Sequence, residues 1–281
     1  MKFGINTFLF TAPFTDGSVS LFPKFKAWGF DSVEIALENA SDINPARIRE
    51  ALDEHQLTCN SICAAMGSGR DFRGSQREQV ASMDYLKGVL DVMPVLGANV
   101  LAGPLYSTVG RAAFEEPDEY KRQWDTVVGH LQQLAAYAGP LGITLAIEPL
   151  NRYETDFINT CNQALDMVAA VGSDHLKIHL DSYHMNIEEK DLADAILAAG
   201  DKLAHFHGCG SDRGTPGGDH TDWKAISAAL KQIKYDGGVV IESFTPAVKV
   251  IAKAASIWRD IEPSQEDIAI HGVAFLKNTL S

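Results

Sequence analysis

Glu148, Asp181, His207 and Glu242 share a context that suits chemistry better than stability. Each closes a short apolar run: Leu145-Ala146-Ile147-Glu148, Leu176-Lys177-Ile178-His179-Leu180-Asp181, Leu203-Ala204-His205-Phe206-His207 and Val239-Val240-Ile241-Glu242. Pro149 follows the first at once, where a central strand cannot continue because proline has no N–H for the ladder. The steps from 148 to 181, to 207 and to 242 are each about one strand-plus-helix unit. One such residue alone reads as a cap or an ion-pair partner at a strand end. Four in succession read as donors to one ion. Three carboxylates and an imidazole form a hard, oxygen-rich set suited to Mn²⁺, Mg²⁺ or Co²⁺. Such a set stays negative around a divalent ion, so it can host a neutral polyol and keep one carboxylate basic.

Other polar residues gather on the same lips. His184 lies three residues past Asp181, Glu154 six past Glu148 and Arg213 six past His207. Each can face a substrate, support a ligand from behind or sit at the surface. His205, two before His207, points to the same side of its strand. Asn6 and Glu34 lie within strand patterns and either face a barrel mouth or bond between strands. Cys209 has no activating base near it in sequence and reads as lining, and Trp124 and Trp223 read as packing.

Eight strands are expected to position these groups, at 3–8, 32–37, 58–64, 99–102, 144–148, 177–181, 204–207 and 239–242. Helical periodicity fills the intervals at 21–28, 46–55, 76–96, 120–138, 161–171, 191–199, 223–233 and 246–258, with one more helix at 266–280. Regular strand–helix alternation implies parallel strands joined by right-handed crossovers. Eight units in this length give a single (β/α)8 TIM barrel over residues 1–281 with an extra C-terminal helix. An open doubly wound sheet is the competitor, but no glycine-rich fingerprint follows the first strand. The longest and most glycine-rich βα loop is 208–222, on the face where barrel enzymes keep their sites.

Composition narrows the partners. A net charge of −13 argues against nucleic acid and against anionic membranes. No apolar stretch approaches the roughly 20 residues that span a bilayer, and the N-terminus lacks signal-peptide zoning. Cys59, Cys63, Cys161 and Cys209 form no CxxC pair. The expected compartment is cytoplasmic. No basic cluster or glycine-rich helix start follows strands 7 and 8, which disfavours phosphorylated substrates.

Leu180-Asp181-Ser182-Tyr183-His184-Met185-Asn186-Ile187-Glu188-Glu189 closely matches the sixth-strand motif of the ketose 3-epimerases (D-tagatose and D-allulose 3-epimerase type) of the sugar isomerase/epimerase barrel superfamily, which the chain resembles. Glu148-Pro149-Leu150-Asn151-Arg152-Tyr153-Glu154 is similar to their Glu-x-x-Asn-Arg-Phe/Tyr-Glu segment. His205-Phe206-His207, Arg213, the run from Asp236 to Glu242 and Ile257-Trp258-Arg259-Asp260 fall in register. The resemblance implies that Glu148, Asp181, His207 and Glu242 bind Mn²⁺ (or Co²⁺ or Mg²⁺). It implies that Glu148 and Glu242 transfer protons, one on each face of the sugar, and that Glu154, His184 and Arg213 hold its C1–C3 end. It also suggests a homo-oligomer, a dimer or tetramer, acting on a small-molecule sugar.

The chemistry follows from general principles. An ion chelated by a ketone oxygen and the neighbouring hydroxyl acidifies the C–H between them and stabilises the enediolate. One carboxylate takes the proton and the opposed one returns it to the other face, which inverts C3 without an organic cofactor. Two stretches depart from the family pattern. Gly208-Cys209-Gly210 stands where an apolar residue, glycine and glutamate are usual, and the loop from Cys63 to Asp71 differs as well. These departures keep open an epimerase or isomerase of a 3-keto glycoside, a keto-polyol or another carbohydrate with the same metal and enediol chemistry. A metal-dependent hydrolase akin to barrel-type apurinic endonucleases would want more histidines and a less acidic chain. Sugar binding without turnover would show no solvent exchange.

Overall fold

The computed structural model describes residues 1–281. Eight strands, β1 (Lys2–Asn6), β2 (Ser32–Leu37), β3 (Ser61–Ala64), β4 (Val100–Gly103), β5 (Thr144–Ile147), β6 (Leu176–Asp181), β7 (Leu203–His207) and β8 (Gly238–Ile241), pair in chain order, all parallel. β8 returns to β1, with Lys2 opposite Gly238 and Ile5 opposite Ile241, so the sheet closes on itself. This is the expected TIM barrel. Parallel strands are covered on both faces and therefore read as continuous apolar runs rather than alternating ones. All six residues of β2 are buried, and 63 buried side chains make one continuous core.

The crossover helices are α1 (Phe22–Ala27), α2 (Pro45–Glu54), α3 (Gln76–Leu96), α4 (Pro117–Ala138), α5 (Cys161–Val171), α6 (Ser182–Glu188), α7 (Leu192–Ala199) and α8 (Trp223–Gln232), followed by α9 (Lys249–Ala254) and α10 (Gln265–Leu280). Local sequence sets their ends. A capping box between Ser75 and Glu78 opens α3, and Gly97 closes it at φ 77°, a left-handed position that suits a residue without Cβ. The expected C-terminal helix is α10, which packs on α8, β1 and β8 and so covers the seam where the ring closes. No helix is long and apolar enough to cross a membrane.

Several boundaries differ from the sequence reading. β1 stops at Asn6, whose side chain accepts the Phe8 N–H and turns the chain into a short 3-10 segment, Thr7–Leu9. The expected helix at 246–258 shrinks to Lys249–Ala254, and Ser256 takes φ 57° just beyond it. Glu148 and Glu242 stand one residue past the last residues of β5 and β8, whereas Asp181 and His207 are the final residues of β6 and β7.

Candidate active site

Because β5, β6, β7 and β8 are consecutive staves, their C-terminal ends form an arc. One ligand atom from each of Glu148, Asp181, His207 and Glu242 lies within 4.8 Å of the others, and all four residues are buried. Asp181 and His207 occupy the middle of the arc, so the two glutamates flank them. The sequence-predicted set thus converges.

Asp181 is fixed from three directions. Its Oδ1 accepts the Tyr183 N–H at 2.8 Å, making it the N-cap of α6, and faces the Cys209 thiol at 3.2 Å. Its Oδ2 accepts from Nη1 of Arg213. The same guanidinium donates through Nη2 to Oε2 of Glu242 at 2.9 Å and lies over the rings of Tyr183 and Phe244. Arg213 is therefore buried inside the site. His184, on α6, is also buried; its Nδ1 accepts the Asn151 backbone N–H at 3.1 Å. Its Nε2 lies 3.4 Å from Nη2 of Arg213 and 3.7 Å from Oε1 of Glu148. Glu154 accepts from Nδ2 of Asn151 at 2.8 Å and lies half-buried on the wall of the cavity.

That cavity, about 280 Å³, has Glu148, Glu242, His184 and Arg213 on its floor. Phe8, Met66, Leu150 and Phe244 form apolar walls, and Val250 and Ile251 of α9 overhang it. A larger cavity, about 420 Å³, opens at the other end of the barrel among the strand starts and contains none of the four candidate ligands. The expected loop-side location holds.

The electrostatics of this cluster favour added positive charge. Burial, and next the Glu242 charge, push the Glu148 carboxyl well above its ordinary value. Burial acts upward on Asp181 too, but Arg213 and His207 outweigh it and hold that carboxyl well below the usual range. Glu242 is likewise held down against burial by His207 and Arg213. His207 is driven up against burial by the carboxylates of Glu34 and Glu242. Two buried atoms aimed at the cluster, Nδ1 of His207 and Oε1 of Glu148, have no hydrogen-bond partner. Orphaned donors of this kind in a converging oxygen-rich set fit a divalent cation.

Sequence reasoning left Asn6 and Glu34 open and did not single out Cys63 as a site residue. Asn6 donates from Nδ2 to Oε1 of Glu34 at 2.8 Å and to Oε1 of Glu242 at 3.0 Å. Glu34, wholly buried, also stands 2.7 Å from Nε2 of His207 and 2.6 Å from Nε2 of His205. The Cys63 thiol faces Oε1 of Glu242 at 3.7 Å. The available signal was a polar residue inside an apolar strand, as at Asn6 and Glu34. Cys209, expected to line the site, touches Asp181 and Arg213 directly. Trp223 packs edge-on against Phe275, as expected of a packing residue.

The sequence profile of the xylose isomerase-like TIM barrel family matches residues 22–279. A Synechocystis sp. protein named "Probable ketose 3-epimerase" is 34% identical, covering 99% of this chain and 96% of its own. The ketose 3-epimerase of Arthrobacter globiformis is 32% identical over 100% of this chain and 97% of its own. The crystal structure of D-allulose 3-epimerase from Methylomonas sp. in complex with D-allulose superposes with a TM-score of 0.92 at 30% identity, covering 99% of this chain and 97% of that one. Likeness on this scale spans the whole barrel: the chain belongs to the xylose isomerase-like TIM barrel family and, within it, to the ketose 3-epimerases, isomerases that act on carbohydrates.

Proposed function

We propose that this enzyme inverts C3 of a free ketose with the help of a divalent ion, Mn²⁺ foremost and Co²⁺ or Mg²⁺ as substitutes, held by Glu148, Asp181, His207 and Glu242. The observation that carries the reading is the convergence of these four buried donors at the floor of one cavity, with Nδ1 of His207 and Oε1 of Glu148 unpartnered. When bound, the ion supplies Lewis acidity to the ketone and its neighbouring hydroxyl and stabilises the charge that develops on deprotonation. Glu148 and Glu242, at the two ends of the arc, serve as proton donor and acceptor on opposite faces of the sugar. Their environments push their affinities for a proton apart, which is the arrangement that assigns acid and base roles. Arg213, His184 through its Nε2, and Glu154 orient the C1–C3 end. The apolar walls exclude water from the reacting carbon. The protein works as a homo-oligomer, which light scattering tests.

A second reading keeps the chemistry and changes the substrate to a 3-keto glycoside or keto-polyol; Gly208-Cys209-Gly210 favours it, because Gly210 removes a carboxylate beside the site. One experiment separates the two. Metal-stripped and Mn²⁺-loaded protein is incubated in D₂O with D-fructose, D-tagatose, D-allulose and L-ribulose and followed by NMR. Metal-dependent deuterium at C3 together with the epimer is expected. Tight Mn²⁺ binding with no exchange on any ketose would transfer the assignment to the second reading. Replacing Glu148 or Glu242 by Gln is expected to abolish exchange, and turnover retained in both variants would refute the two-glutamate scheme.

A further inference from the structure

We infer that Glu34, together with Asn6, is a positioning residue that decides which nitrogen of His207 faces the candidate metal site and holds Glu242 in place beside it. The inference rests on the metal reading above. Glu34 comes from β2, across the barrel from β7, and its side chain is fully buried. Its Oε1 lies 2.7 Å from Nε2 of His207 and also accepts from Nδ2 of Asn6 at 2.8 Å. The same Asn6 amide reaches Oε1 of Glu242 at 3.0 Å. One asparagine thus ties the supporting carboxylate to the proposed proton-transfer carboxylate.

An ionised carboxylate only accepts hydrogen bonds, so the imidazole nitrogen facing it carries the proton. In a neutral ring the other nitrogen then presents a bare lone pair. For His207 that nitrogen is Nδ1, which lies 3.2 Å from Oε2 of Glu242 and 3.7 Å from Oδ2 of Asp181. It has no hydrogen-bond partner of its own. A carboxylate behind an imidazole fixes the tautomer and the ring orientation of a metal ligand. The geometry also settles a rival use of the neighbouring imidazoles. Nitrogens of His179, His205 and His207 lie close enough to suggest a second ion site. Yet Nε2 of His207 is taken up by Glu34 at 2.7 Å, which leaves that ring no free nitrogen on this side for a further cation, and Nε2 of His205 stands 2.6 Å from the same carboxylate.

Two measurements test the assignment. In ¹⁵N-histidine-labelled, metal-free wild-type protein, two-bond ¹H–¹⁵N correlations read the tautomer of His207, assigned by its loss in a His207→Gln variant. A proton held on Nε2 is expected, whether or not Nδ1 also carries one in the absence of metal, and a ring protonated on Nδ1 alone would overturn the inference. In Glu34→Gln, the amide can donate to Nε2 and release the ring to the other tautomer. Mn²⁺ affinity, read by calorimetry and by the free-ion EPR signal, is expected to fall about 10–100-fold. The visible absorption of the Co²⁺-loaded protein is expected to change shape. Unchanged affinity with an unchanged Co²⁺ spectrum would overturn the role of Glu34. Failure of wild-type protein to bind Mn²⁺ would overturn the metal reading itself, and the tautomer measurement, made without metal, would still decide what Glu34 does.

Discussion

Arg213→Met removes the one guanidinium that spans Asp181 and Glu242. Both carboxylates are buried and both accept from it; against burial, Asp181 relies on that cation first, and Glu242 relies on it after His207, to stay ionised. Breaking a buried pair by deleting one partner costs about 3–5 kcal/mol, because the survivors keep their desolvation without compensation. At about 2–4 °C per kcal/mol for a chain of this class, the metal-free variant is expected to melt about 6–20 °C below wild type. A divalent cation acts in the opposite direction. Removing a fixed positive charge from its neighbourhood strengthens its binding, and bound ligand adds about 2.7 kcal/mol at a concentration 100 times its Kd. The difference in melting temperature between variant and wild type should therefore be wide in EDTA and narrow in saturating Mn²⁺. Differential scanning fluorimetry under the two conditions measures it directly. A difference that stays the same, or widens, with Mn²⁺ would refute the placement of Arg213 in the charge balance of the site. Epimerase turnover should remain low even in Mn²⁺, since the proposed sugar contact of Arg213 is lost as well.

Arg73, buried under the loops after β3 and β4, pairs with Asp156 at 2.7 Å, and the N–H groups of Ala113 and Phe114 also donate to that carboxylate. Burial raises the Asp156 carboxyl, but Arg73 and these N–H groups prevail and hold it below its ordinary value. A depressed carboxyl contributes stability that is present above its unfolded pKa and disappears as pH falls through its folded one. Arg73→Met is expected to lose about 3 kcal/mol in urea unfolding at neutral pH, with the deficit shrinking below about pH 4; a deficit independent of pH would count against the pair. Gly217 takes φ 89°, and a Cβ there would meet the Phe275 ring at 2.5 Å. Gly217→Ala should cost about 1–3 kcal/mol by denaturant midpoint, and a neutral result would show that the loop after β7 yields freely. Phe244→Ala opens the cavity wall and removes the ring under Arg213; steady-state kinetics on the preferred ketose should show KM rising more than kcat falls.

The barrel was legible because parallel strands buried on both faces leave unbroken apolar runs, and each run here ends at a turn or a charged residue. The four candidate ligands were legible for the same reason: a lone acid or histidine ending such a run stands out. The support behind them was much less so. Glu34 meets His205 and His207 only because β2 and β7 face each other across the ring, and no local pattern states that distance. The helix α6 also escaped notice. It is seven residues long and starts on Asp181 itself, so the residue read as a ligand hid its second job as a cap. The helix expected at 246–258 was overdrawn, because Val248, Ile251, Ala252 and Ala255 carry helical spacing whether or not tertiary contacts sustain the turn.

The hydrogen bond from Asn6 to Glu242 joins residues 236 positions apart. It forms only after β8 has found β1, which is the last stave pairing available to the chain. Loop closure over such a span is slow, since its entropy is lost before any contact compensates. A partly folded chain can present strands β5 to β7 and still lack Glu242. If the proposed site takes a cation, a refolding experiment timed by cation uptake would record β8 docking beside β7, and the Asn6–Glu242 bond would mark the later moment when the two ends of the chain meet.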